Sequence, residues 1–285
     1  MQLLTWNIQW CRGIDNRVDP ARIVAEARRL ADFDVLCVQE VADHFPAPML
    51  AGNDDADQFA VIASLLPGYM PIAGNAVDHP ADDGRRRRFG NAIYSRFPVR
   101  QAFRWTLPWP ADPSVPSMPR VAVEAVIAAP GGDVRVITTH LEYYSIVQRS
   151  AQIEALRALY REGHGHSRTV PASRGEGGPF EVFARPEATI ITGDFNLPAG
   201  DALHARMQAP FDDGTPALVD AWTVRHPGIA QPPTFCVFKP YPAHRKPYAC
   251  DFVFVDPNAR ARLTDVAVDV ETQASDHQPV IVTLD

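Results

Sequence analysis

The sequence predicts an α/β protein in which mixed β-sheets are covered by helices, with one domain spanning residues 1–285. Short apolar runs, the mark of buried strands, alternate with stretches of helical period. Hairpin signals crowd the middle of the chain, most clearly at Pro130-Gly131-Gly132. No repeat or linker divides the chain, and polar clusters near both ends have to meet to make chemical sense.

Leu3 to Ile8 reads as the first strand. Asp19-Pro20 starts a helix, with a capping carboxylate and proline at the first helical position; Ile23, Ala27 and Leu30 follow at helical spacing. Asp34 to Glu40 is a short buried strand that ends in a carboxylate. Phe59, Ile62 and Leu66 mark a second helix, closed by Pro67-Gly68. Gly90 to Ser95, Val99 to Leu107, Val121 to Ala128 and Val134 to Thr139 are strands. Ser145 with Gln148 resembles a capping box, and Ile146, Ile153, Leu156 and Tyr160 form the stripe of the helix it opens. Residues 163–187, rich in Gly, Pro and Arg, read as a long loop that includes His164 and His166; proline-rich 108–119 is another. Thr189 to Thr192, Cys250 to Val255 and Val280 to Leu284 complete the strands.

Composition narrows the function. The apolar content of 46% is that of a globular protein with a substantial core. No run approaches the roughly 18 apolar residues of a membrane span, and the N-terminus lacks a basic leader. The default expectation is a soluble, cytoplasmic monomer. A net charge of −7 disfavours tracking along duplex DNA, because cationic surface supplies most non-specific affinity. The block Arg85 to Arg88 is the exception; it is either a solvated loop or a phosphate-facing patch, with Arg88 a candidate substrate contact. Cys11, Cys37, Cys236 and Cys250 show no metal-finger spacing, and no disulfide is expected.

Polar residues gather where apolar runs stop. Glu40 ends a buried strand, where a lone carboxylate is costly. Asn7 and Asp276 offer further oxygens, and hard oxygen ligands suit Mg²⁺, with Mn²⁺ fitting the same set. Asp194 and Asn196, two apart in Gly193-Asp194-Phe195-Asn196, point the same way on an extended segment or else make a turn. His277, in Ser275-Asp276-His277-Gln278-Pro279, needs a carboxylate partner to stay charged, and Asp251 is the candidate. His140 ends another strand, as a site residue or a satisfied core histidine; Asn91 would orient a catalytic group; Arg149 either reaches a phosphate or lies on the surface.

The ordered set TWNIQW, VLCVQE, FGNAIYSRFPV, VITTHLEYYS, ITGDFN, CDFVFV and SDHQPV, spread over residues 3 to 284, resembles the endonuclease/exonuclease/phosphatase superfamily. That group is typified by pancreatic-type deoxyribonuclease, exonuclease III-like repair nucleases, inositol polyphosphate 5-phosphatases and neutral sphingomyelinases. The resemblance implies a four-layer α/β/β/α sandwich with two mixed β-sheets and an active site at one edge. It implies a Mg²⁺ centre on Glu40 and Asn7, with Asp276 joining or bridging by water. It makes Asp194 the residue that activates the attacking water, Asn196 a phosphate contact, and His277 with Asp251 the pair at the scissile phosphate. His140 would contact phosphate or assist the leaving group; tyrosine stands at this position in the repair-nuclease branch. The implied reaction is in-line hydrolysis of a phosphate ester, with both histidines offsetting charge.

Substrate choice would lie in loops, expected at 42–57, 75–90, 108–119, 163–187 and 225–248. The net charge favours a small-molecule or lipid-like phosphate ester. Nucleic acid is the alternative, with Arg85 to Arg88 and Trp105 or Trp109 as its platform. A catalytically silent binding module is the alternative from another class.

Overall fold

The structure is a computed structural model that describes residues 1–169, 172, 178–238 and 246–285. Chain order gives β1 (Gln2–Asn7), β2 (Val35–Asp43), β3 (Met70–Pro80), β4 (Arg86–Ser95), β5 (Val99–Thr106) and β6 (Val121–Ile127). Then come β7 (Val134–His140), β8 (Thr189–Asp194), β9 (Val219–Asp220), β10 (Asp251–Val255), β11 (Leu263–Val268) and β12 (Val280–Leu284). They form two six-stranded sheets, ordered β11-β12-β1-β2-β4-β3 and β5-β6-β7-β8-β10-β9. Each sheet holds one parallel pair, β1 with β2 and β7 with β8, among antiparallel neighbours.

The period-2 alternation of strand side chains builds the layers. Leu3, Val35 and Cys37 face the second sheet, while Leu4, Trp6, Leu36 and Val38 face outward. There they meet α1 (Pro20–Leu30) and α2 (Gln58–Leu65) through Ile23, Val24 and Ile62. In the second sheet Val253 and Val255 face inward; Phe252 and Phe254 lie under α3 (Ile146–Arg168) and α4 (Ala202–Met207). Two short helices, α5 (Ala221–Arg225) and α6 (Pro257–Arg262), send Trp222 and Ala259 into the layer between the sheets. The result is an α/β/β/α sandwich. Strands buried on both faces must be apolar at successive positions, which is why they stood out in the sequence. Asp19, Asp57 and Ser145 cap α1, α2 and α3 through backbone N–H groups.

Several expectations need correction. Helix α3 runs to Arg168, so His164 and His166 sit on a helix rather than in a loop. Gly163 disguised it: its missing Cβ makes room for the buried Arg135 guanidinium, which pairs with Glu124 at 2.9 Å. Ile146 is exposed rather than part of the buried stripe. The Ser145 capping box is half formed, since the Gln148 amide bonds Pro110 O and Ser117 Oγ instead. Most of 75–90 is a hairpin of β3 and β4, not a loop. Residues 170, 171 and 173–177 of one expected loop, and 239–245 of another, lie outside the described residues. The four cysteines are buried free thiols, and no described helix is long and apolar enough to cross a membrane.

Gly193 links the fold to the site. Its φ is 136°, and a Cβ there would overlap Thr139 O on β7, far inside the van der Waals contact distance. Gly193→Ala is therefore expected to cost about 2 kcal/mol or more, read by urea denaturation. A wild-type midpoint would mean that β7 and β8 can part without penalty.

Candidate active site

Both parallel pairs end at the same edge of the sandwich. Asn7 ends β1 opposite Gln39, and His140 ends β7 opposite Asp194. Beneath this edge the buried Gln39 amide donates to Thr5 Oγ1 at 3.2 Å and Thr138 Oγ1 at 2.9 Å, tying the sheets together. A cleft of about 570 Å³ opens above them, lined by Glu40, His140, Asp194, Asn196, Asp276 and His277 among others.

Glu40 owes its aim to a bulge. The β2–β4 register shifts between Val38 and Val41, and Glu40 takes φ 60°. One extra residue turns the side chain out of the alternation and into the cleft. Burial, then the neighbouring Asp276 carboxylate, push the Glu40 carboxyl up to about 7. Asp276, itself raised by burial, accepts from Gln9 Nε2 at 2.6 Å. Gln9 belongs to a run of three left-handed residues, Gln9, Trp10 and Cys11.

Asp194 is the hub. Its Oδ2 accepts from Asn7 Nδ2 at 3.0 Å and lies 3.4 Å from His140 Nε2 and 3.7 Å from His277 Nε2. Burial raises its carboxyl to about 6, against the lowering effect of His277. Its other oxygen accepts from the N–H of Asn196, which sits at φ 54°.

The two histidines differ in charge, contrary to the shared role expected for them. Burial pulls His277 down, but Asp251, 2.9 Å from Nδ1, and Asp194 outweigh it and hold the imidazole pKa well above its ordinary value. His277 is cationic, and its ring lies over Phe235. His140 is held well below the ordinary range by burial, Arg120 and His277. Asn196 Nδ2 donates to Leu141 O at 2.8 Å, which fixes the amide so that the same nitrogen faces His140 Nε2 at 3.0 Å. Nε2 is then an acceptor, and His140 is neutral with its proton on Nδ1.

Asn7 is held the other way round from the expectation that its oxygen ligates a metal. Its Oδ1 accepts from Gln9 N at 3.1 Å, so its nitrogen faces Glu40 at 3.2 Å as well as Asp194. Asn91 is buried behind the site, donating to Val121 O. Two expected substrate contacts lie away from the cleft. Arg149 donates to the carbonyls of Glu142 and Tyr143, bracing the loop after β7. Arg88 pairs with Asp43 at 2.6 Å, while Arg85 pairs with Asp55 and Asp83, and Arg86 with Asp78. Trp105 stacks on Phe103 and donates to Glu124. Sequence reasoning missed Gln9 and the cleft-lining ion pair of Arg120 with Glu142 at 3.2 Å. Gln9, two residues beyond Asn7, carried the one available signal.

With this geometry in view, comparison with known proteins is decisive on one point. Residues 4–277 match the profile of the Endonuclease/Exonuclease/phosphatase family. The chain belongs to that family. No curated protein matches the chain. Among solved structures, a family protein from Beutenbergia cavernae is similar at 24% identity and TM-score 0.68, over 99% of this chain and 70% of that one. A mannosyl-6-phosphatase from Bacteroides thetaiotaomicron is similar at 18% identity and TM-score 0.67, over 100% and 99% of the two chains. TDP2 of D. rerio, complexed with single strand DNA product, is similar at 19% identity and TM-score 0.65, over 100% and 98%. Members of the family hydrolyse phosphoesters and generally use divalent metal ions.

Proposed function

We propose that this family member is a divalent-metal-dependent phosphoesterase that hydrolyses a small-molecule or lipid-like phosphate ester. The observation that carries the reading is the convergence on Asp194 Oδ2 of Asn7, His140 and His277 within 3.7 Å, in a cleft shared with Glu40. The donors fit a hard cation. Glu40 and Asp276 are crowded carboxylates raised by burial and, for Glu40, by its acidic neighbour, and a cation relieves both costs. Glu40 and Asp276 would hold Mg²⁺ or Mn²⁺, while Asn7 steadies Glu40 and Asp194. Such an ion supplies positive charge against the phosphate oxygens.

The chain's own groups do the rest. Asp194, raised toward neutrality, holds a water and accepts its proton as that water attacks phosphorus in line with the ester oxygen; the P–O ester bond breaks, and the departing alkoxide takes a proton from solvent. The His277 cation, oriented by Asp251, donates from Nε2 to phosphoryl oxygen as charge develops. Neutral His140 keeps Asn196 in place beside the same oxygens.

The test is a hydrolysis screen of the purified chain with Mg²⁺ and Mn²⁺. It includes a phosphomonoester, a generic phosphodiester, a phospholipid and single-stranded DNA. Turnover of a small or lipid ester that EDTA abolishes is the expected result. No metal-dependent turnover of any substrate would overturn the reading, and preference for DNA would move it to the nuclease alternative.

A further inference from the structure

We propose that one wall of the cleft is a subsite for an uncharged alkyl or aryl group, so that the substrate carries an apolar substituent on its phosphate and is not a polyanion. The inference rests on the phosphoesterase reading of the same site. Trp10, Phe45, Leu50, Val77, Phe89 and Met118 line the cleft beside the acidic floor. With Ala42 they form an apolar cluster separate from the sandwich cores. Val77 and Phe89 are buried, but Trp10, Phe45, Leu50 and Met118 stay half-buried and present apolar surface to the cleft. Covering such surface is favourable in proportion to its area.

The wall is built in advance. The Trp10 indole donates to Ala51 O at 3.1 Å, and the Gln58 amide donates to Trp10 O at 2.8 Å. The Asn53 amide holds Phe45 O, and Phe45 meets Phe89 edge-on at 6.3 Å. These bonds fix the turn after β1, the loop after β2 and the β3–β4 hairpin against one another. Pre-formed apolar pockets with a few convergent polar groups are the usual form of small-ligand sites.

Charge points the same way. Among the described lining residues Arg120 is the one arginine or lysine, and Glu142 pairs with it at 3.2 Å. The arginine block that leads into β4 turns to Asp43, Asp55, Asp78 and Asp83 instead. A second phosphate would face carboxylates, because the one arginine in the described lining is already paired with Glu142 and the His277 cation is held by Asp251 and turned to the first phosphate, whereas an alkyl or aryl group meets a surface of its own kind.

The experiment uses the full chain with Mn²⁺ and two readouts. Calorimetry measures binding of methyl, butyl and hexyl phosphonate. Kinetics measures hydrolysis of methyl, butyl and hexyl phosphates and of the symmetrical dialkyl diesters, which present the same group on either side. Wild type is expected to gain about tenfold or more from methyl to butyl in affinity and in kcat/KM. Leu50→Ser and the volume-conserving Met118→Gln are expected to shrink the butyl-to-methyl ratio to about threefold or less. That ratio, not the absolute rate, is the readout. Chain-length independence of both quantities in wild type would overturn the subsite, as would tighter binding of a bisphosphate than of butyl phosphonate. Binding that climbs with chain length while no ester is hydrolysed would keep the subsite and remove the phosphoesterase reading.

Discussion

Asp194→Asn is expected to lower kcat/KM by about 10³-fold while leaving the fold intact. The replacement has the same shape. It keeps an oxygen to accept from Asn196 N, so the turn after β8 survives. What it loses is the ability to take a proton from water, together with the charge that faces both imidazoles. The effect belongs in kcat, because the group acts as bond making begins and not when substrate arrives. Steady-state kinetics on the best ester from the screen, beside a circular-dichroism melt, checks both halves. A near-normal rate would remove Asp194 from the chemistry.

Glu40→Gln should make the metal-free protein more stable at pH 8. The folded Glu40 carboxyl is raised from 4.5 to about 7, so the native state binds this proton more tightly than the unfolded chain does. A stabilising contribution is then fully present below about pH 4.5 and is lost as pH rises through about 7. Asp194, raised to about 6, acts with the same sign. At pH 8 the wild-type native state carries an ill-compensated charge. With 19% of the Glu40 side chain open to solvent, its removal is expected to return on the order of 2 kcal/mol. The variant should also show a flatter fall between pH 5 and 8, and Mn²⁺ should stabilise it only at far higher concentration than wild type requires. Urea denaturation in EDTA, repeated with Mn²⁺, measures all three. A variant less stable than wild type at pH 8 would show that Glu40 is already compensated without an ion.

The sequence announced this edge of the sandwich because buried strands are apolar at nearly every position until they break off in a polar group. His140 and Asp194 are such terminations, and the polar ends of a parallel pair share an edge; Glu40 ends its apolar run too, although β2 resumes beyond the bulge and continues to Asp43. How those groups are aimed was hidden. The Glu40 bulge has no glycine or proline to mark it, and the left-handed run Gln9 to Cys11 is built from residues that rarely take that conformation. The arginine block could be seen, and Asp83 and Asp78 lie close to it in sequence, but Asp43 and Asp55 arrive from elements 30 or more residues away, so its full neutralisation could not. Strand β3 escaped notice because most of its residues are only half-buried or exposed, which weakens the apolar signal. The C-terminal turns of α3 were concealed by glycine, present to make room for Arg135. The charged His277 with its partner Asp251 was legible, but the neutral state of His140 depends on burial and on the three-dimensional neighbour Arg120, which residue type alone does not reveal.

The central claim is that a single cation held through Glu40 serves the phosphate on which Asp194 and His277 act. Titrating Mn²⁺ into metal-free protein, with bound ion and ester hydrolysis recorded in the same samples, tests it most directly. Activity and occupancy should rise with one midpoint, and Glu40→Gln should shift both to about 100-fold higher Mn²⁺. Hydrolysis that proceeds before any ion binds, or a Glu40→Gln protein with an unchanged midpoint, would contradict it.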